Sequence, residues 1–372
     1  MQSDRLTESL AADGISLPVH VPRWRVITHA GTRVAYSVAG LFIFILAMQL
    51  LKAGARGLKP VLTEFHAHGV INLMGFGWLG AYTVMSGSPV AAISLSLYSS
   101  GTTSDVESFA MINGSRLGAS FIVLFVGFIL WIMRKKSADG LYIGVVALLT
   151  AFTLWLPVLP IGLLILHEGW FDSIRMGSPG PITSLVNVVY DPIVNRIADN
   201  VPTIVVFGIG IGILLTAFAV FDRALPNLES TQGGNLDKWR DRFQKPLVMF
   251  LIGLAVTAVT LSVSLSLTLL IPLSLKGYIR RNAIIPYVMG ANISTWVDTL
   301  VAALLLNAPR AFTIVFTEMV VGASISLFVL IFLYKPYSTV IIGLANRITQ
   351  SKRGFAVFLG VILIVPLVLF LV

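Results

Sequence analysis

The sequence predicts an all-α polytopic integral membrane protein, on three observations: an apolar composition, charge-free runs of membrane-spanning length, and an internal repeat at one fixed offset. Of 372 residues, 56% are hydrophobic and 12% charged, and the mean hydropathy is +0.89. An ordinary soluble domain carries about 25% charged residues, so this chain lacks the polar surface that water requires. About 20 residues of helix cross the hydrocarbon core of a bilayer. Val34–Leu51, Leu117–Met133, Leu141–Leu166, Val201–Phe221, Gly354–Val372 and the longer Pro246–Leu275 are all free of charge. None alternates as the strands of an outer-membrane barrel do, which leaves helices. Roughly eight to twelve membrane segments are expected, some of them re-entrant or broken.

In chain order, residues 1–30 form a polar segment with Asp4, Glu8 and Asp13 and no apolar core, unlike a cleavable signal peptide. Residues 31–168 hold the first repeat and its following spans. Within them, Thr83–Thr103 crowds small and hydroxyl residues, which predicts irregular backbone buried from lipid. Pro157 and Pro160 are expected to kink or split Leu141–Leu166. Residues 169–202 are acidic and read as an extracellular-side loop, 203–221 as a connecting span, and 222–245, rich in Arg and Lys, as a cytoplasmic linker. Residues 246–372 hold the second repeat and its following spans. Arg23, Arg25 and Arg33 favour a cytoplasmic N-terminus, although Lys52, Arg56 and Lys59 follow the same span.

Net charge is +9, yet basic residues such as Arg134–Lys136 and Arg347–Arg353 lie at the ends of apolar runs. That pattern suits lipid headgroups and topology, not nucleic acid. The chain has no cysteine, which excludes disulfides, thiolate metal sites and cysteine nucleophiles. No Walker loop and no convergent acid, base and nucleophile are present, so enzyme and ATP-driven pump are disfavoured and no cofactor is expected. Gly75-Phe-Gly77-Trp-Leu-Gly80 spells a dinucleotide fingerprint but lacks the preceding strand. It reads as close helix packing, as do Gly208, Gly210 and Gly212.

An offset of 176 residues lays the second half on the first: Gly77 on Gly253, Ser86 on Ser262, Ser88 on Ser264, Gly101 on Gly277, Gly114 on Gly290. Apolar composition aligns leucines by chance, but not an S-x-S and three glycines. Internal repeats in an apolar chain mark secondary transporters, whose halves are often inverted about the membrane plane and whose broken helices meet near its centre. Inverted repeats are therefore the expectation. Serine hydroxyls there can donate to an anion or accept a cation without a buried charge.

From Gly253 the sequence reads G-L-A-V-T-A-V-T-L-S-V-S-L-S, and from Pro286 P-Y-V-M-G-A-N-I-S-T. This resembles the sodium/phosphate cotransporter family, whose repeats carry G-x-x-x-T-x-x-x-Q-S-S-S followed by G-[AS]-N-I-G-T-T. Gly253, Thr257, Ser262, Ser264 and Gly290–Thr295 carry the match, with Ser266 beside it; the first repeat is more worn at Met85-Ser86-Gly87-Ser88-Pro89 and Gly114-Ser115-Arg116. The family's glutamine is Met85 in one repeat and Leu261 in the other, and its middle serine is Gly87 and Val263. The resemblance implies sodium-coupled symport of inorganic phosphate or a similar anion across the plasma (cell inner) membrane. The site it implies is Ser86, Gly87, Ser88, Pro89, Gly114, Ser115, Arg116, Thr257, Ser262, Ser264, Ser266, Gly290, Asn292, Ser294 and Thr295, with transported sodium as the one metal ion and lipid as the surroundings. The alternative is a passive channel, or a transport-inactive relative acting as a sensor or partner protein. Arg116 reads either as an anion ligand or as a helix-end arginine, snorkelling to the interface or paired with Asp105. Asp298 and Glu318 read either as groups with a sodium- or proton-coupling role or as ion-pair partners of Arg310.

Overall fold

The structure, a computed structural model, describes residues 23–58, 60, 68–132, 138–177, 180, 184, 186–224, 245–260, 262–268, 270, 274, 279 and 281–372. Among these residues all regular structure is helical. The elements are α1 (Arg23–Ala55), α2 (Val70–Val84), α3 (Ser88–Ser99), α4 (Asp105–Ala119), α5 (Phe121–Ile132), α6 (Ala138–Trp155), α7 (Val158–Glu168), α8 (Asp191–Ala198) and α9 (Thr203–Ala224). They continue as α10 (Pro246–Thr260), α11 (Val263–Thr268), α12 (Arg281–Ser294), α13 (Trp296–Leu305), α14 (Pro309–Phe328), α15 (Tyr334–Gln350) and α16 (Lys352–Leu371). Seven helical stretches are long and apolar enough to cross a bilayer, several of them joining two of these elements, and α2 and α10 are shorter apolar helices. The chain is a multi-pass membrane protein.

Helices α2 and α3 form a hairpin against α4. The Glu107 carboxylate accepts from the Gly69 amide at 2.8 Å, placing the start of α2 beside the start of α4. Further along, Gly114 meets Met74 and Trp78, and Gly118 meets Ala81, so α2 and α4 run parallel. Helix α3 returns: Gly87 at its start packs on Ser115, and Ser94 Oγ donates to the Ser108 carbonyl at 3.1 Å. The tip, Met85–Gly87, thus stops about half-way along the span Asp105–Ile129. At about 1.5 Å per residue, the 15 residues of α2 reach about 22 Å and fall short of a bilayer of about 30 Å. Ser104 and Glu107 form a capping box, Ser104 N donating to Glu107 at 2.8 Å, which starts α4 sharply where the hairpin ends.

Element bounds recur at the offset of the sequence repeat. Shifting α2 by 176 residues gives the bounds of α10, and shifting α4 gives those of α12 to within one residue. The contacts recur too. Gly77 touches the Met111 carbonyl and Gly253 touches that of Tyr287; Gly114 touches the Met74 carbonyl and Gly290 that of Phe250. In lipid, helices associate through such close approach rather than through apolar burial. Contacts between the halves are reciprocal: α3 packs on α13 and α11 on α5, while α4 packs on α14 and α12 on α6.

Helix direction follows from contacts at one face. Ala55, at the end of α1, accepts from Thr102 at the hairpin base (3.1 Å), while Gln49 and Lys52 donate to the Leu305 and Leu306 carbonyls at the end of α13. Arg310, just beyond, bonds Asp105 at 3.0 Å and Asp172 at 3.4 Å. Span α4–α5 therefore leaves this face, and span α12–α13 arrives at it. At the opposite face the end of α5 meets the starts of α6, α12 and α16, with Arg281 and Lys352 among them.

Two expectations are corrected, on Thr83–Thr103 and on the packing of Gly208 and Gly212. Thr83–Thr103 is helical except at its two turns: Ser96 bonds back to the Ala92 carbonyl and Ser94 to a neighbouring helix, so the hydroxyls are satisfied without unwinding. The 169–202 segment contains a π-helical turn, Val186–Tyr190, and α8. Helix α1 begins inside the polar 1–30 segment, at Arg23. Gly210 packs on Leu51, but Gly208 and Gly212 face open space. The proline expectation holds, with α6 and α7 parting at Leu156–Pro157. Residues 225–244 of the 222–245 linker lie outside the described residues, as do residues 1–22.

Candidate functional site

Where the first hairpin meets the second half, the interior of the bundle is polar. Arg116, on α4 one turn from the hairpin tip, is 3% exposed. It reaches across the halves: Nη1 donates to Thr295 Oγ1 at 3.1 Å and Nη2 to Thr299 Oγ1 at 2.7 Å. Its guanidinium lies 4.0 Å from the centroid of the Trp296 ring, a cation–π contact in a water-poor setting. Trp296 in turn packs against Trp155 at 5.4 Å between centroids, and Trp155 fits over Gly322, where a side chain would collide with it.

Two carboxylates complete the cluster. Asp298 accepts from Thr299 Oγ1 at 2.9 Å, and the Ser88 hydroxyl of the hairpin stands beside it. Glu318, on α14, is fully buried, with Asn113 of α4 alongside. Both act on Arg116 electrostatically, yet neither forms one of the ion pairs among the described residues. This corrects two expectations: Arg116 does not pair with Asp105, and Arg310 does not pair with Asp298 or Glu318. Arg310 begins α14 at the membrane face and pairs with Asp105 and Asp172 there, and Arg116 is the buried cation among the described residues.

Buried polar atoms without a partner in the protein concentrate here. The donors are Arg116 Nε, Asn292 Nδ2, Ser294 Oγ, Trp296 Nε1 and Trp155 Nε1; the acceptors are Asn113 Oδ1, Asp298 Oδ2 and both oxygens of Glu318. Native interiors carry few such atoms, and each calls for a reason. Asn292 and Arg116 are counterparts in the two halves, 176 residues apart, and Trp296 follows Asn292 by one helical turn.

The structure sorts the expected residues into three groups. Ser88, Arg116, Asn292, Ser294 and Thr295 belong to the cluster or its rim. Ser86, Gly87 and Pro89 build the hairpin tip, Ser86 N donating to the Ala81 carbonyl at 3.1 Å and Pro89 sitting in the first turn of α3. The others, Ser264 apart, make contacts within or between helices. Gly114 and Gly290 are closest-approach points, and Ser115 bonds back to Ile112 at 2.7 Å. Thr257 donates to Ser266 at 2.7 Å, which meets Tyr287 at 2.9 Å, so α10, α11 and α12 are pinned by a closed hydroxyl network. The Ser262 carbonyl accepts from Ser266 N at the start of α11. The Ser264 side chain lies outside the described residues. Sequence reasoning missed Thr299, Trp155, Trp296 and Asn113. Trp296 carried a faint signal, one turn beyond Asn292; Thr299 and Trp155 carried none, because each acts through residues distant in sequence.

No protein-family model, curated protein or solved structure matches the chain.

Proposed function

We propose that this protein is a secondary active transporter, moving phosphate or a similar small oxyanion by symport with sodium, and that its halves are inverted repeats. The observation that carries the reading is a buried guanidinium with unpartnered donors on itself and on the segment 292–296 that it contacts: Arg116 Nε, Asn292 Nδ2, Ser294 Oγ and Trp296 Nε1. An ionisable group inside a membrane is costly and is retained where it handles an ion or substrate. A planar guanidinium with amide, hydroxyl and indole donors nearby suits a tetrahedral or planar oxyanion.

The architecture supports the same reading. The first hairpin and the α10–α11 turn at the equivalent position of the second half, with neighbouring spans running in opposite directions, suit an inverted pair around a central site. The face of Arg281 carries Arg223, Lys245, Arg347, Lys352 and Arg353 and suits the cytoplasm, whereas the Asp105 face mixes Lys52, Arg56, Arg175, Arg196 and Arg310 with Glu107, Glu168, Asp172, Asp191 and Asp199. Sodium would be taken by hydroxyl and carbonyl oxygens of the hairpin tips, hard ligands that suit a hard cation.

The test is uptake of radiolabelled phosphate into proteoliposomes under an inward sodium gradient, with potassium substituted as control. Sodium-dependent uptake in wild type, strongly reduced in Asn292→Ala and Ser264→Ala with folded protein retained, is the expected result. Normal kinetics in both variants would place the site elsewhere. Currents far above carrier turnover would show a channel, and anion binding without flux a sensor.

A further inference from the structure

Glu318 is the most isolated charge-bearing side chain in the cluster. It is 0% exposed, and both carboxyl oxygens lack a hydrogen-bond partner. Asn113 stands beside it; its amide nitrogen gives one hydrogen to the Trp155 carbonyl at 3.1 Å, and its Oδ1 is itself unpartnered. An ionised carboxylate and an amide oxygen are both acceptors and cannot bond each other. An unpaired carboxylate is costly in such an interior, and a proton on Glu318 removes its charge and supplies an O–H for an acceptor such as Asn113 Oδ1.

From this geometry we infer that Glu318 is a proton-binding site and that a proton is a coupled ion of this protein, alongside sodium. The inference rests on the carrier reading and adds an ion to it. Among the charged groups packed around α14, Arg116 of α4 is the one that acts on Glu318. Asp298 of α13 acts on Arg116, and Arg310, on the same helix as Glu318, is engaged at the membrane face with Asp105 and Asp172. Of the other helices packed against α14, α3 carries no charged residue, and Asp139 of α6, His167 and Glu168 of α7 and Arg281 of α12 lie at helix ends.

The charge balance sets the sign of coupling. With Glu318 protonated, Arg116 and Asp298 balance. With Glu318 ionised, the cluster carries one surplus negative charge in a poorly solvated interior, directly opposed to an incoming anion. Protonation therefore favours anion binding at Arg116, and by linkage a bound anion favours the protonated acid. Proton and anion move in the same direction: the proton joins Glu318 on one side with the anion and leaves to water on the other.

The test has a spectroscopic arm and a flux arm on the full chain in lipid. Infrared difference spectra across a pH titration should show a buried carboxylic C=O band that is lost as pH rises and is absent at every pH in Glu318→Gln. Glutamine can donate to Asn113 Oδ1 as the acid does, so this variant should fold; a monodisperse size-exclusion profile checks that. Asn113→Leu, which removes the acceptor, should shift the band without abolishing it. In proteoliposomes without a sodium gradient, an acidic exterior should drive phosphate uptake in wild type, and that response should be lost in Glu318→Gln. A band unchanged in Glu318→Gln, no band in wild type at low pH, or sodium-driven uptake indifferent to the pH gradient would each overturn the inference. Glu318's band without flux under any gradient would overturn the carrier reading and proton coupling, while leaving the proton site itself standing.

Discussion

Arg116 keeps its charge in the bundle interior through partners contributed by other elements: two threonines and an indole from α13, with Asp298 and Glu318 at longer range. Removing one member of a buried charged set leaves the others uncompensated, which costs more than the set contributes. Arg116→Met is therefore expected to destabilise the protein by about 3–5 kcal/mol. Thr299→Val, which deletes one hydroxyl from the guanidinium and from Asp298, should cost about 1–3 kcal/mol. Thermal unfolding of the purified variants in detergent orders the two, and equal melting temperatures would mean the cluster carries no such charge coupling. Arg116, Asp298 and Glu318 stand out in the sequence because charge among apolar residues needs a reason. Their partners do not, since the nearest opposite charge along the chain, Arg310, starts α14 at the face rather than in the interior.

At the scale of elements, glycines decide how closely helices approach. A Cβ on Gly290 would collide with the Phe250 carbonyl of α10, and one on Gly77 with the Met111 carbonyl of α4. Backbone atoms cannot swing aside as a side chain can. Gly290→Ala is expected to separate α10 from α12, costing about 1–3 kcal/mol or more, and to lower the yield of folded protein. Gly212→Ala meets nothing within 4 Å and should be neutral or stabilising, by up to about 1 kcal/mol through helix propensity. Fluorescence-detected size exclusion on the two variants separates these outcomes, and matched profiles would remove the close-packing role of Gly290. The hairpin was legible as a feature, because Thr83–Thr103 could not be a lipid-facing helix. Its helicity was not, because hydroxyl-rich composition reads as loop until neighbouring carbonyls are in place to receive Ser94 and Ser96.

Across the whole molecule, the proposed inversion makes opposite faces accessible from opposite sides of the membrane. The absence of cysteine makes single introduced thiols clean reporters. Trp170→Cys, at an exposed position beyond α7, and Arg353→Cys, at the start of α16, are expected to react with an impermeant thiol reagent from opposite sides of oriented vesicles. Labelling of both from one side would break the helix order and with it the inversion. The sequence by itself determined that the chain lives in a membrane, since a composition so poor in charge has no other stable solvent. It also determined where the chain repeats, because small residues needed for close approach recur at one offset in both halves. Only the tertiary structure decided which residues share the interior. Contacts such as Arg116 to Thr299 and Asn113 to Trp155 join positions whose spacing is set by how helices cross, and periodicity within a helix carries no record of what lies across from it.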